Sequence, residues 1–419
     1  MSPLRSFSAR AACWCSFGSA VAILFSIAVS QILLALAVAA LLISGEKLRL
    51  PPIKLPLALF MIGTLISWAL SGEMQAGLPQ IRKFFVFLEL LVVYSTLRDL
   101  VVIRRLFLVS AGVASVAAVR GFAQFAARIH QARLLGQNFY EYYVAQRITG
   151  FMSHWMTYSG EEMFVLIMLG AFLLFAPISR IWLYVWTLCA ALIAAALLLS
   201  ETRSIWVATA VAGLYLIWFW RRWMIALVPV AVVLVFLFSP ESIRERFTSL
   251  IQPKGEIDSN QHRIVTWETG FRMIEEHPWF GVGPEGVKLH FEEYVPAQVP
   301  RPLPAGWYGH LHNIYLQYAA ERGVPTMLLM MWMLVQILYD FWRALRILPP
   351  GRSNQKFLLH GGIAVVLATM VEGFAEYNLG DTEVLTVFLV VVASGYLARE
   401  SLPWKDREPT ADRWHTTMT

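Results

Sequence analysis

The chain has 419 residues, of which 58% are hydrophobic and only 15% charged, with 16 tryptophans and a net charge of +6. A soluble domain carries about 25% charged residues, so this composition excludes an ordinary soluble protein and indicates one that lives in lipid. The Lys and Arg excess falls in short clusters between apolar runs, which membrane orientation explains, so no nucleic-acid partner is indicated.

Uncharged stretches recur at about the 20 residues a helix needs to cross the hydrocarbon, and strand-like alternation does not, which argues for helices over a barrel. The expected fold is an all-α polytopic membrane protein. From Ala11 to Ser44 the chain is apolar apart from small polar residues, too long for a signal-peptide core and without a cleavage site, so it reads as two spans joined by a tight turn. In chain order the hydropathy predicts twelve spans, near 14–29, 31–45, 55–72, 84–98, 105–126, 158–176, 181–199, 204–220, 223–238, 313–341, 358–374 and 383–398. With the N-terminus inside, Lys47/Arg49/Lys54, Arg98/Arg104/Arg105, Arg221/Arg222, Arg343/Arg346/Arg352/Lys356 and Arg399/Lys405/Arg407/Arg413 are cytoplasmic, as is the C-terminus; Arg82 and Lys83 break the pattern. Cys13, Cys15 and Cys189 sit at the chain start or inside a span and offer neither a disulfide framework nor a spaced zinc site.

The resulting units are a transmembrane bundle over 1–238, a periplasmic loop region over 239–312 and spans ten to twelve with a cytoplasmic tail over 313–419. The external face receives the long connections 127–157 and 239–312 and the turns "LSETRS" and "VEGFAEYNLGDTE". Loops of this length are functional or disordered, and the second is too aromatic to be a disordered linker. Within it Ile264, Trp267, Phe271 and Ile274 recur at helical spacing and predict an amphipathic helix lying against the membrane or the bundle.

Polar groups gather on that same face from distant parts of the chain: Arg147, Arg203, Arg263, His310, His312, Glu372, Glu376 and Asp381, with no ionisable group stranded at mid-depth. A guanidinium at an external helix mouth opposes the inside-positive bias, so Arg203 either serves a site or snorkels to the headgroups. Arg147 and Arg263, each in a long loop, are site or ordinary surface arginines. Three arginine forks on one face suit a polyanionic lipid head, because the fork binds phosphate at two points and keeps its charge when partly buried. His312 opens the helix that starts near Asn313; a helix N-terminus disfavours imidazolium, and a neutral ring is the state a general base requires. Capping the helix or sitting in the interface are its competing roles, and Asn313 either caps the helix or bonds a sugar. "GVGPEG" (281–286) fits a dinucleotide pattern but has no strand before it, so it reads as a turn. Glu372, Glu376 and Asp381 fit no standard metal site and read as solvated loop carboxylates.

The ordered pieces "TRS" (202–204), "HRIVTWETGFRMIEEHPWFGVGPEG" (262–286) and "HLHNIYLQYAAERGVP" (310–325) resemble the bacterial O-antigen ligase and O-antigen polymerase superfamily of membrane glycosyltransferases, over about residues 200–380. The chain departs from the family pattern at Thr202-Arg203-Ser204, where Ser-Arg-Gly is frequent, and at Thr326, where a glycine is frequent. The resemblance implies a GT-C-like bundle in the bacterial inner membrane with a periplasmic active site. There a preassembled glycan passes from undecaprenyl diphosphate to a sugar of lipid A–core, without cofactor, metal or nucleotide sugar. It further implies His312 as the base, Arg147, Arg203 and Arg263 on the pyrophosphate, and His310 and Asn313 orienting a substrate. A polymerase, with a second lipid-linked glycan as acceptor, is the nearest rival; the length and the single late loop favour a ligase. A twelve-span transporter would show repeated halves or polar groups near the midplane.

Overall fold

The structure is a computed structural model that describes residues 3–248, 259–303 and 309–402; the tail cations Lys405, Arg407 and Arg413 lie outside the described residues. Among those residues every regular element is a helix. Helices α1 (Pro3–Ala22) and α2 (Ile27–Ser44) form an antiparallel pair, with the turn at 23–26, somewhat earlier than the hydropathy predicts, because the Ser26 side chain caps α2 by accepting from the Val29 amide. Then follow α3 (Lys54–Leu70), α4 (Met74–Arg82), a 3₁₀ segment (Lys83–Phe87), α5 (Leu88–Thr96) and the 35-residue α6 (Leu100–Leu134), capped by Asp99. Next come α7 (Phe139–Ala145), α8 (Trp155–Phe175), α9 (Arg180–Leu199), α10 (Arg203–Arg221) and, after a 3₁₀ segment, α11 (Val228–Phe238). The segment before the last spans adds α12 (Glu241–Thr248), α13 (Ser259–Glu276), α14 (Gly286–Tyr294) and α15 (Ile314–Arg322). The chain closes with α16 (Val324–Arg346), α17 (Asn354–Glu372) and α18 (Thr382–Glu400).

Among the described residues seven stretches are long and apolar enough to cross a membrane: α2, α6, α8, α9, α10 running on through α11, α16 and α18. Helices α17 and α18 are buried on nearly every side and form the centre, wrapped by α8, α10, α16 and α5, whereas no residue of α11 is buried and its Val and Leu side chains face outward. A helix that is apolar all round belongs in such a core, and in lipid its packing rests on close van der Waals contact. Of the twelve expected spans, 84–98 and 223–238 each begin as 3₁₀ turns. In addition, 313–341 is two helices, not one. The carboxyl of Glu89, near the middle of the expected span 84–98, corrects the expectation that no ionisable group is stranded at mid-depth: it is fully buried in α5 and accepts a hydrogen bond from Ser19 at 2.9 Å.

The break between α15 and α16 has a sequence cause. Pro325 opens α16, and Gly323 takes φ +80°, where a Cβ would lie 2.0 Å from the Trp279 carbonyl oxygen. "GVGPEG" docks there through its backbone: Val282 N–H donates to Ala320 O (2.8 Å) and Gly283 N–H to Glu321 O (2.9 Å), while Val324 N–H donates to Pro278 O (2.8 Å). Gly281, at φ +68°, sits so close that a Cβ would meet the Ala320 oxygen at 2.5 Å. The stretch is the expected turn, and its glycines serve backbone approach to α15. Helix α13 forms as predicted but faces differently. Thr266, Thr269 and Met273 are its buried side, whereas Ile264 and Phe271 point outward, 63% and 52% exposed.

Candidate active site

The start of α15 is over-tied. Asn313, in extended backbone, accepts from the amides of Tyr315 and Leu316 (both 3.0 Å) and donates to the Phe374 carbonyl (3.2 Å). Of its two readings, the cap is the one this geometry supports. The amide of Leu311 donates to the Gln317 side chain at 2.8 Å, and that of Ile314 to Gly373 O at 2.8 Å. Between these anchors His312 is held at φ +48°, a left-handed conformation that costs a branched or ringed residue about 1–3 kcal/mol and persists only where surroundings enforce it. The strain aims its ring at the α17–α18 turn.

Glu376 in that turn is the hub. It is 2% exposed; its Oε2 lies 3.2 Å from His312 Nδ1, while its Oε1 lies 2.5 Å from an Arg263 guanidinium nitrogen and accepts from Ser204 Oγ at 3.3 Å. One carboxylate thus joins α10, α13, α15 and the α17–α18 turn. Burial alone would raise its pKa, but the hydrogen bond from His312 and the charge of Arg263 outweigh this and hold it below the ordinary glutamate value. An ionised carboxylate only accepts, so Nδ1 of His312 carries the proton toward it and Nε2 is the nitrogen left to work. The expectation of solvated carboxylates is corrected here: Glu372 and Glu376 are both buried, Glu372 bonded to Asn378, and Asp381 accepts from Thr157 at 2.8 Å. Each has its own neutral or cationic partner, and the described residues gather no trio of metal-ligating side chains.

The "LSETRS" turn supplies the second strained residue. Glu201, completely buried, sits at φ +50° and sets Arg203, also buried, as the first residue of α10, one position before the Ser204 that reaches Glu376. Tyr143 of α7 clamps the turn by donating to Leu199 O at 2.6 Å, and buried Arg246 of α12 donates from Nε to Glu201 O at 3.1 Å. Arg147 follows α7 and lies over the Trp155 ring, 5.1 Å from its centroid. Burial, and then the charge of Arg246, lower its pKa to about 10 against the opposing pull of Glu201 and Glu376. Burial likewise raises the Glu201 carboxyl to about 7, with Arg147 and Arg246 pulling the other way. Arg147 thus feels the charges of both Glu201 and Glu376, Arg263 bonds Glu376 directly, and Arg203 stands in the chain between Glu201 and the Ser204 that reaches Glu376.

The sequence reading missed Arg246, Glu201 and His262 as members of this group. His262 precedes Arg263 in "HRIV" and its ring lies 5.1 Å from that of His312; Glu201 is two residues from Arg203. Both had adjacency as a signal, while Arg246 sits among other charges in "ESIRERF" with nothing to single it out. His310 stacks obliquely on His312, centroids 4.1 Å apart. Burial, then the neighbouring His312, lower its pKa to about 3. A base whose folded pKa is depressed lets the unfolded chain bind the extra proton, so its contribution is complete above about pH 6.5 and is lost as pH falls toward 3. Thermal melts of the detergent-solubilised protein should accordingly drop between pH 7 and 4.5, and His310→Gln should make that slope shallower.

Fold and site together define a polytopic helical membrane protein with a buried arginine-rich centre built around a strained histidine at one end of the bundle. The O-antigen ligase family matches residues 188–331, and over this stretch the chain is similar to that family. The match contains Arg203, Arg246, Arg263, His310 and His312; Arg147 and Glu376 lie outside it. No curated protein matches the chain. That similarity supports a glycosyltransferase-like ligase activity, with a lipid-linked glycan and a lipid acceptor as partners in general terms.

Proposed function

We propose that the protein is an O-antigen ligase that moves a preassembled glycan from undecaprenyl diphosphate to a sugar hydroxyl of lipid A–core on the periplasmic face of the inner membrane. The observation that supports this best is the pairing of His312 Nδ1 with the buried, ionised Glu376, which also holds Arg263. That carboxylate fixes the tautomer and orientation of the ring, leaving Nε2 to take the acceptor's proton. The acceptor oxygen then attacks the anomeric carbon as the bond to the diphosphate oxygen breaks, so the pair of electrons leaves on the diphosphate and the configuration inverts. Arg203, Arg263 and Arg147 carry the developing negative charge, a preorganised electrostatic contribution typically worth about 10²–10³ in rate for each donor. His310, packed on His312, and the neighbouring Asn313 orient one substrate. The chemistry requires no cofactor.

Reconstitution tests the whole reading: purified protein with lipid-linked glycan is offered lipid A–core, or only more donor. Glycan on lipid A–core supports the ligase; elongation of donor alone would assign a polymerase instead. In the same assay Arg203→Lys should lose most of its turnover, roughly 10²-fold, because an ammonium cannot reproduce the two-point fork on a phosphate. Unchanged turnover in this variant would reduce Arg203 to a residue reaching for headgroups.

A further inference from the structure

Lys83, which breaks the orientation pattern, and Arg322, to which no role has been given, line one pocket. It lies between α3, the Lys83–Phe87 segment, the α15–α16 break and α18, and its cavity of about 50 Å³ has room for a group the size of a few waters, with a mouth beyond it. Its walls are apolar: Phe60, Phe84, Phe87, Met330, Leu385 and Phe388. None of the histidines or arginines of the candidate active site lines it. Tyr377 stands between the two places, its ring 6.0 Å from that of His310 on one side and 5.6 Å from that of Tyr318 on the other.

Arg322 is 4% exposed, and its Nε and one terminal nitrogen are buried without a hydrogen-bond partner. Its guanidinium rests on the Tyr318 ring, 4.2 Å from the centroid, and the Glu321 carboxylate approaches only to 3.9 Å, beyond hydrogen-bond range. Glu321 Oε1 is engaged elsewhere, accepting from Gln317 (2.8 Å) and from the Glu285 amide (3.0 Å), while its Oε2, the atom nearest Arg322, is buried without a hydrogen bond of its own; Glu285 in turn accepts from Gln80 at 2.5 Å. A buried guanidinium with unused donors is costly unless an anion arrives to take them. Lys83 donates once, to Gly380 O at 2.8 Å, and keeps two ammonium hydrogens. Two cations lining an aromatic and aliphatic cleft match a small anionic head on an apolar chain.

We propose that this pocket is a second anion site, separate from the arginine-rich centre, that binds a phosphate-bearing amphiphile, with Arg322 and Lys83 on the phosphate and the Phe–Met–Leu walls on its chain. The shared chemistry is a phosphate on an apolar tail; free phosphate would use only the cations. Binding to the pocket does not depend on the transferase reading.

The test uses full-length protein in neutral maltoside detergent, titrated with dodecyl phosphate or inorganic phosphate and read by native mass spectrometry. It is run in wild type and in an R203Q/R263Q background that weakens the other anion centre. The expected result is saturable dodecyl phosphate binding that survives in R203Q/R263Q and weakens roughly tenfold or more when R322Q is added, the loss of one charge-assisted contact. K83Q, at a partly exposed position, should weaken it by several-fold and keeps the test decisive if R322Q fails to fold. Binding that vanishes in R203Q/R263Q, or that neither R322Q nor K83Q alters in that background, would overturn the site. Inorganic phosphate binding as tightly as dodecyl phosphate would overturn the assignment to an amphiphile.

Discussion

His312→Ala should abolish glycan transfer, with a loss of about 10²–10⁴ in kcat, or roughly 3–5 kcal/mol of barrier, while the protein still inserts and melts normally. The reasoning starts in the backbone. His312 stands at φ +48° between the Leu311–Gln317 bond and the Asn313 cap; alanine keeps the Cβ and therefore the backbone strain, and it leaves the anchors of α15 intact. What disappears is the ring nitrogen opposite Glu376, and His310 does not replace it: it is turned onto His312, and its proton affinity is lowered by burial. A glycan-transfer assay with purified protein and lipid-linked donor checks this, and retained turnover would remove the base role.

Glu376→Gln should come close to the same loss while preserving shape. The carboxylate accepts from His312, Arg263 and Ser204 at once. A carboxamide has one acceptor oxygen and no charge, so either the histidine or the arginine loses its partner. If the amide nitrogen turns toward His312, Nδ1 must accept and Nε2 takes the proton, which is the wrong tautomer for a base. The expected fall in kcat is about 10²-fold or more, because orientation and charge go together. Glu376→Ala adds a stability cost of about 1–3 kcal/mol, since the hydrogen bonds to a buried group are left unmade. The decisive comparison is between kcat and the melting temperature: Gln should move the first far more than the second. A variant that melts early and turns over normally would make Glu376 a structural brace only.

Much of this site was legible before any coordinates. "TRS", "HRIV" and "HLHN" each pair a polar group with the edge of an apolar run, and the hydropathy topology sent all three to one face. Glu376 was seen but misjudged. In sequence it is one of several carboxylates in a polar turn, and a carboxylate's character depends on what surrounds it, here a histidine and an arginine 64 and 113 positions away. Arg246 and Arg322 escaped notice for a similar reason: each is an ordinary arginine locally and becomes unusual only once buried. The broken tenth span shows the opposite case, since Gly323 and Pro325 were visible, but a hydropathy window averages across them and reports one continuous helix.

The sequence by itself determined that this is an all-helical membrane protein, similar over part of its length to the O-antigen ligase family, and that arginines and histidines gather at one end. Composition, period and spacing are local properties, and lipid leaves the backbone few ways to satisfy its own hydrogen bonds. Only the tertiary structure decided which carboxylate orients which imidazole, where a guanidinium is left with unused donors, and which face of α13 is buried. Those are properties of distance and dielectric between residues far apart in the chain, set by how α10, α13, α15 and the α17–α18 turn meet.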